Sequence, residues 1–254
     1  MYIKAKKSLG QNFLIDREVL EKIVSIVKIA DKEILEIGPG SGNLTSYILK
    51  KNPKKVFVIE KDDELSLILK DKFANQIEII NDDVLKISEN EITDQKLVVF
   101  GNLPYNISTE ILSKWIININ KKFWFESLLL MFQKEVAERI ACKKGKKRRI
   151  LYVFLQAFYD IEYCFTVDEH VFNPPPKVKS GVIKLVRNSR KELPVDEKKF
   201  KRVVKAGYNQ RRKTLKNAMK PFEIINENEI ADLLALRAEQ LSVDDFIKLT
   251  NHVR

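Results

Sequence analysis

Short apolar runs alternate with helical stripes through the first 150 residues. The runs fall at 34–37, 56–59, 77–80, 97–100 and 128–132. Between them the apolar positions recur every three or four residues, as in Ile111, Leu112, Trp115, Ile116 and Ile119. Near the start, Asp16 precedes Val19, Leu20, Ile23, Val24 and Val27, which predicts a capped amphipathic helix. Runs without polar interruption, separated by helices, predict parallel strands buried on both faces, and hence an α/β fold. After residue 150 the pattern changes. The run 151–159, the alternation of Ile161, Tyr163, Phe165 and Val167, and the run 182–186 predict strands that close the sheet without long crossovers.

Residues 188–197 are polar and contain Pro194, and are read as a linker. Beyond it the stripes are helical: Phe200, Val203 and Val204; Leu215, Ala218 and Met219; Ile230, Leu233 and Leu234. Ser242 with Asp245 resembles a capping box for a last helix. The expected domains are 1–187, an α/β domain, and 198–254, a small all-helical one.

Charge sharpens this division. The net charge is +11, yet residues 143–149 hold six basic groups and residues 198–220 hold ten, with no acid in either window. The rest of the chain carries 30 basic and 35 acidic residues. The excess therefore sits in two patches, the footprint of a polyanionic partner. Lys143, Lys144, Lys146, Lys147, Arg148, Arg149, Arg211, Arg212, Lys213 and Lys216 are the candidate phosphate contacts. No apolar run approaches a membrane span, the N-terminus lacks a secretory pattern, and Cys142 and Cys164 lack metal-ligand spacing. The expectation is a cytoplasmic, monomeric chain that needs neither membrane nor metal.

The run at 97–100 leads into Gly101, Asn102, Leu103, Pro104 and Tyr105. An adenine N6 amine is a poor nucleophile because its lone pair is delocalised into the ring. Two acceptors aimed at its N–H bonds can free that pair. Asn102 offers a side-chain oxygen, and Leu103 offers a carbonyl whose following proline brings no competing N–H. Tyr105 can stack on the base, for roughly 1–3 kcal/mol. A polar turn after a strand accounts for the four residues equally well.

Glu36-Ile37-Gly38-Pro39-Gly40-Ser41-Gly42 stands where the first predicted strand meets a helix, which suits a ligand-binding turn. Glu60 ends the next strand, where an acid can grip ribose hydroxyls, and Asn81-Asp82-Asp83 ends the third. All these groups fall at carboxyl ends of parallel strands, where open sheets bind ligands. A nicotinamide dinucleotide satisfies the glycine turn and the acids. S-adenosylmethionine fits better, since an adenine-amine site then lies beside a methyl donor and no acid–base pair is required.

From end to end the chain resembles the small-subunit ribosomal RNA adenine N6,N6-dimethyltransferases, the KsgA family. The segments that carry the resemblance are Lys7-Ser8-Leu9-Gly10-Gln11-Asn12-Phe13-Leu14, Glu36 to Gly40 and the Asn102–Tyr105 tetrad. Gln133-Lys134-Glu135-Val136, Phe172-Asn173-Pro174-Pro175-Pro176-Lys177-Val178 and Asn209-Gln210-Arg211-Arg212-Lys213-Thr214-Leu215 follow in the family's order. The resemblance implies a Rossmann-like methyltransferase domain with a C-terminal helical RNA-binding domain. It also implies S-adenosylmethionine-dependent dimethylation of two adjacent adenosines near the 3′ end of 16S rRNA. It assigns cofactor contacts to Asn12, Leu14, Gly38, Gly40, Glu60, Asp83 and Asn102. It assigns catalysis to Asn102, Leu103, Pro104 and Tyr105, with Phe172 as a second wall for the adenine. One departure stands out: where the family often has a Tyr-Gly-x-Leu-Ser-like stretch, this chain has Arg148, Arg149, Ile150, Leu151 and Tyr152. The competing functions are a 23S rRNA adenine methyltransferase and an assembly factor acting mainly by binding.

Overall fold

The computed structural model describes residues 5–6, 9–117, 124–143, 145, 149–190 and 192–254. Lys7, Ser8, Ile119, Lys144, Lys146, Lys147 and Arg148, all named above, lie outside the described residues.

A seven-stranded sheet organises the fold. Its parallel part comprises β2 (Glu33–Ile37), β3 (Lys55–Ile59), β4 (Glu78–Ile80), β5 (Leu97–Asn102) and β6 (Phe125–Gln133), in the order β4-β3-β2-β5-β6. The helices α2 (Asn43–Leu49), α3 (Asp63–Phe73) and α4 (Ser108–Ile117) alternate with these strands, and α5 (Lys134–Ala141) follows β6. Buried side chains run almost unbroken along β2, β5 and β6, so the strands read as apolar runs rather than alternations. The order reverses between β2 and β5, and an open sheet has its ligand crevice at such a switch point. The edge is completed by β9 (Ser180–Arg187), antiparallel to β6, and then β7 (Tyr159–Val167). A separate two-stranded pair joins β1 (Phe13–Leu14) to β8 (Phe172–Asn173), with Leu14 opposite Phe172. The expected caps are present: Asp16 accepts from the Val19 amide at the start of α1 (Arg17–Ser25), and Ser242 and Asp245 bond reciprocally before α10 (Val243–Asn251).

One expectation is corrected. The apolar run near 151–159 is not a strand; residues Ile150–Phe158 form a helix, α6. Gln156 is the one polar residue in the run, too little to show the period that separates a buried helix from a buried strand. Its burial explains the composition: Val153 is packed in a second core with Phe200, Val204, Tyr208 and Phe246, and Ile150 and Phe154 pack against that cluster.

The chain forms two compact units. One comprises residues 1–137 and 162–186, the other residues 138–161 and 187–254. The second contains α6, α7 (Glu197–Asn209), α8 (Leu215–Ala218), α9 (Ala231–Ala235) and α10. Residues 188–197, read as a linker, are tied into it. The Asn188 amide and Arg190 guanidinium donate to the Phe158 and Ala157 carbonyls at the end of α6, and Leu193 and Val195 pack on the second core. No helix among the described residues is long and apolar enough to cross a membrane.

Candidate functional site

A cavity opens at the carboxyl ends of β2, β3 and β5, all within the first unit. Asn12, Leu14, Gly38, Gly40, Glu60, Asp83, Asn102, Leu103, Pro104 and Tyr105 all line it. Segments remote in sequence thus converge where the sheet order reverses.

The glycine turn follows β2. Gly40 and Gly42 have φ of +58° and +74°, a region that disfavours L side chains. A Cβ on Gly42 would also sit 2.4 Å from the Phe73 ring, and one on Gly40 2.8 Å from Phe13. From outside, Lys72 donates to the Ser41 carbonyl at 2.9 Å. From inside, Glu60 accepts the Gly40 amide at 3.1 Å and the Asp62 amide at 2.9 Å. Burial pushes the Glu60 carboxyl upward, while those backbone donors oppose the rise. Each carboxylate oxygen retains a lone pair for a ribose hydroxyl.

Glu36 is a residue that sequence reasoning passed over, treating it only as part of the turn motif. It is 2 % exposed and accepts from the Thr45 hydroxyl at 2.6 Å. Burial lifts its carboxyl to about 7, against the Thr45 bond and with the help of the Glu60 charge. Its ordinary value is 4.5, so across the window from there to about 7 the folded chain holds a proton that the unfolded chain has lost. Stability therefore falls as pH rises through that window, by up to about 1.4 kcal/mol per unit of difference. Glu36→Gln keeps an acceptor for Thr45 and removes the ionisation. It should stabilise the protein at about pH 8 and change little at about pH 5, as read by chemical denaturation. An equal gain at both would contradict the assignment.

The N-terminal segment crosses the cavity and is held at three places. Asn43 Nδ2 donates to the Leu14 carbonyl at 2.8 Å, and Asn102 Nδ2 donates to the Asn12 carbonyl at 2.9 Å. The third is Asp62, a buried carboxylate that accepts from Lys6 Nζ at 2.8 Å and Gln11 Nε2 at 3.0 Å. Asp62 also caps α3, accepting from the Glu64 amide at 3.1 Å. The Asn102 bond has a chemical consequence. With its amide nitrogen committed to Asn12, the side chain must present its oxygen as the remaining polar end, as an acceptor for an amine requires.

Tyr105 is half-buried, and its hydroxyl shares a 2.6 Å hydrogen bond with Ser180 at the start of β9. Burial raises the phenol, and Ser180 works against the rise. Ser180 is paired in register with Gln133 of β6, so the tetrad and the segment that starts at Gln133 meet through β9. Phe172 does not join them. It is absent from the cavity wall; its side chain is 2 % exposed and packs in the main core. Its strand β8 pairs with β1, whose Phe13 and Leu14 line the cavity.

Asp83 accepts from Lys61 Nζ at 2.7 Å and from the Leu85 amide at 3.0 Å, and the Lys61 bond leads in holding its carboxyl below the usual range. Asp82 is exposed and accepts the Asp83 amide.

In the second unit the two basic patches meet on one turn. The Gly145 amide donates to the Glu239 carbonyl at 2.7 Å, and Arg211 lies 3.5 Å from the Glu239 carboxylate. Lys143, Arg212 and Lys213 are exposed. Lys216 is exposed too, but it pairs with Glu227 at 2.9 Å. Arg149 precedes the first turn of α6, where the departure from the family pattern falls.

Comparison with known proteins gives the family and the fold. The profile of a family described as "Ribosomal RNA adenine dimethylase" matches residues 2–253. "Ribosomal RNA small subunit methyltransferase A" of Pelagibacter ubique is 52% identical, covering 98% of this chain and 97% of its own. Among solved structures, a dimethyladenosine transferase from Plasmodium falciparum superposes with a TM-score of 0.80 at 26% identity, covering 95% of this chain and 99% of its own. The 23S rRNA methyltransferase ErmE superposes with a TM-score of 0.78 at 20% identity, covering 94% and 98%, a likeness of fold alone.

Proposed function

The chain belongs to the ribosomal RNA adenine dimethylase family, and on that premise we propose that it dimethylates the N6 amines of two adjacent adenosines near the 3′ end of 16S rRNA. The observation that carries the chemistry is the oriented Asn102 amide, whose nitrogen is held by the Asn12 carbonyl so that Oδ1 faces as an acceptor.

S-adenosylmethionine, when bound, supplies an electrophilic methyl group. Glu60, at the end of β3, and Asp83, after β4, suit its ribose and adenine, and the glycine turn leaves its backbone open to close approach. The protein's own task is the acceptor. In the first transfer Asn102 Oδ1 and the Leu103 carbonyl take the two N–H bonds of the target amine; in the second, one of them takes the single N–H that remains. That draws the nitrogen out of conjugation and aims its lone pair. Tyr105, fixed through its hydroxyl by Ser180, offers a ring face for the base. The buried surroundings of the tetrad strengthen these dipoles relative to water. The amine sheds a proton after it gains the methyl, so no strong base is needed at the site. The exposed cations of the second unit bind the RNA backbone, and the 16S assignment follows the names of the high-identity relatives.

Small subunits and 23S RNA from cells lacking these modifications, each offered with labelled donor, test the reading. Mass spectrometry should find dimethyladenosine at two adjacent positions of 16S rRNA. Label in 23S RNA alone would overturn the substrate assignment while leaving the chemistry intact.

A further inference from the structure

Lys114 lies on α4, the helix that follows the tetrad, and its ammonium is directed at a segment of the neighbouring strand connection. It donates to the Val84 carbonyl at 2.7 Å, to the Ile87 carbonyl, and to Glu89 Oε1 at 2.6 Å. Trp115, the next residue, donates its indole N–H to the same Glu89 oxygen at 2.6 Å. Glu89 is buried in the 3₁₀ turn Glu89–Glu91. An ammonium has three donors, and three acceptors of one segment surround this one.

That segment begins at Asp83, and its geometry links Lys114 to the Asp83 carboxylate through a single rigid group. The Val84 carbonyl and the Leu85 N–H are the two ends of one planar peptide. Lys114 holds the oxygen end; the N–H end donates to Asp83 Oδ1 at 3.0 Å. Between β4 and the Glu89 turn there is neither helix nor strand; the Val84–Leu85 peptide is the central one of a turn closed by the Lys86 N–H on the Asp83 carbonyl at 2.8 Å, and Lys114 is the side chain that holds its outward carbonyl. A buried ion pair by itself contributes little net stability, so the Lys114–Glu89 pair is better explained by what it orients.

We propose that Lys114 is a positioning residue for cofactor recognition: by fixing the Val84–Leu85 peptide it aims Asp83 at the adenine amine and sets the preference for a 6-amino purine. The inference rests on the reading of Asp83 as the adenine acceptor. It gives the helix after the tetrad a second task, that of keeping the cofactor turn in register.

The test compares binding of S-adenosylhomocysteine with that of its 6-oxo analogue, S-inosylhomocysteine, by calorimetry on the full chain. Lys114→Met should weaken S-adenosylhomocysteine about tenfold, which is about 1.4 kcal/mol. It should narrow the preference over the 6-oxo analogue by a similar factor, and leave RNA affinity unchanged. Lys114→Arg should recover part of the preference. Asp83→Ala should narrow the preference as far, and the double variant no further, because the two residues act through one contact. A purely structural role would weaken both analogues alike. Should Lys114→Met not fold, Lys114→Gln, which keeps a donor but shortens the reach, serves the same comparison. A wild-type preference in the Lys114 variants, with the preference lost in Asp83→Ala, would overturn the positioning role. A wild-type preference in Asp83→Ala would instead overturn the reading of Asp83 beneath it.

Discussion

Asn102→Ala should lower the rate of methyl transfer about a thousandfold at saturating cofactor and RNA, with RNA affinity within about twofold of wild type. The figure is scaled from the loss of a single preorganised polar group at a reacting centre, typically a hundred- to a thousandfold. Here the same side chain both accepts from the amine and anchors the N-terminal segment through the Asn12 carbonyl. Asn102→Asp separates the two roles. It keeps acceptor oxygens but has no N–H for Asn12, and sets a carboxylate against that carbonyl. Its loss should therefore appear partly as a raised KM for S-adenosylmethionine, since the loosened segment carries Asn12 and Leu14 along the cavity wall. Single-turnover kinetics with labelled donor, alongside filter binding of RNA, measure both terms. A wild-type rate in Asn102→Ala would sink the acceptor mechanism.

Replacing Lys143, Arg212 and Lys213 together with Gln should weaken RNA binding about a hundredfold at about 0.1 M salt and flatten its salt dependence. Each lost phosphate contact on a single strand removes about 0.7 from the log–log slope, worth about fivefold at that salt concentration. The rate with bound RNA should hold, because these groups lie in the second unit and none lines the cavity. Lys216→Gln should matter less, as Glu227 already neutralises it. Affinity measured across a salt series decides the point. An unchanged slope in the triple variant would place the RNA on another face.

The parallel sheet was readable because burial on both faces forces continuous apolar runs, and the tetrad because its atoms are contiguous. Neither condition holds for α6, whose near-uniform apolarity erased its period. Nor does it hold for Phe172, whose two-residue strand pairs with β1 across more than half the chain. Gln11 and Asp62, or Lys114 and Glu89, acquire their meaning only through contacts between elements far apart in sequence. Charge excess, by contrast, survives any folding. The two basic patches could be recognised without knowing that Glu239 would bring Gly145 and Arg211 to one turn.

The chain passes between its two compact units at residues 137–138, 161–162 and 186–187, so the smaller unit is not a simple C-terminal appendage. A cut in the polar stretch at 188–197 would leave α6 behind, stripped of Phe200, Val203, Val204 and Phe246, the partners that cover Val153. Residues 1–187 made alone would carry a greasy helix into water and invite aggregation, even with every cavity residue present. A free-standing catalytic fragment has to be obtained by excising 138–161, joining 137 to 162, and ending the chain at 186.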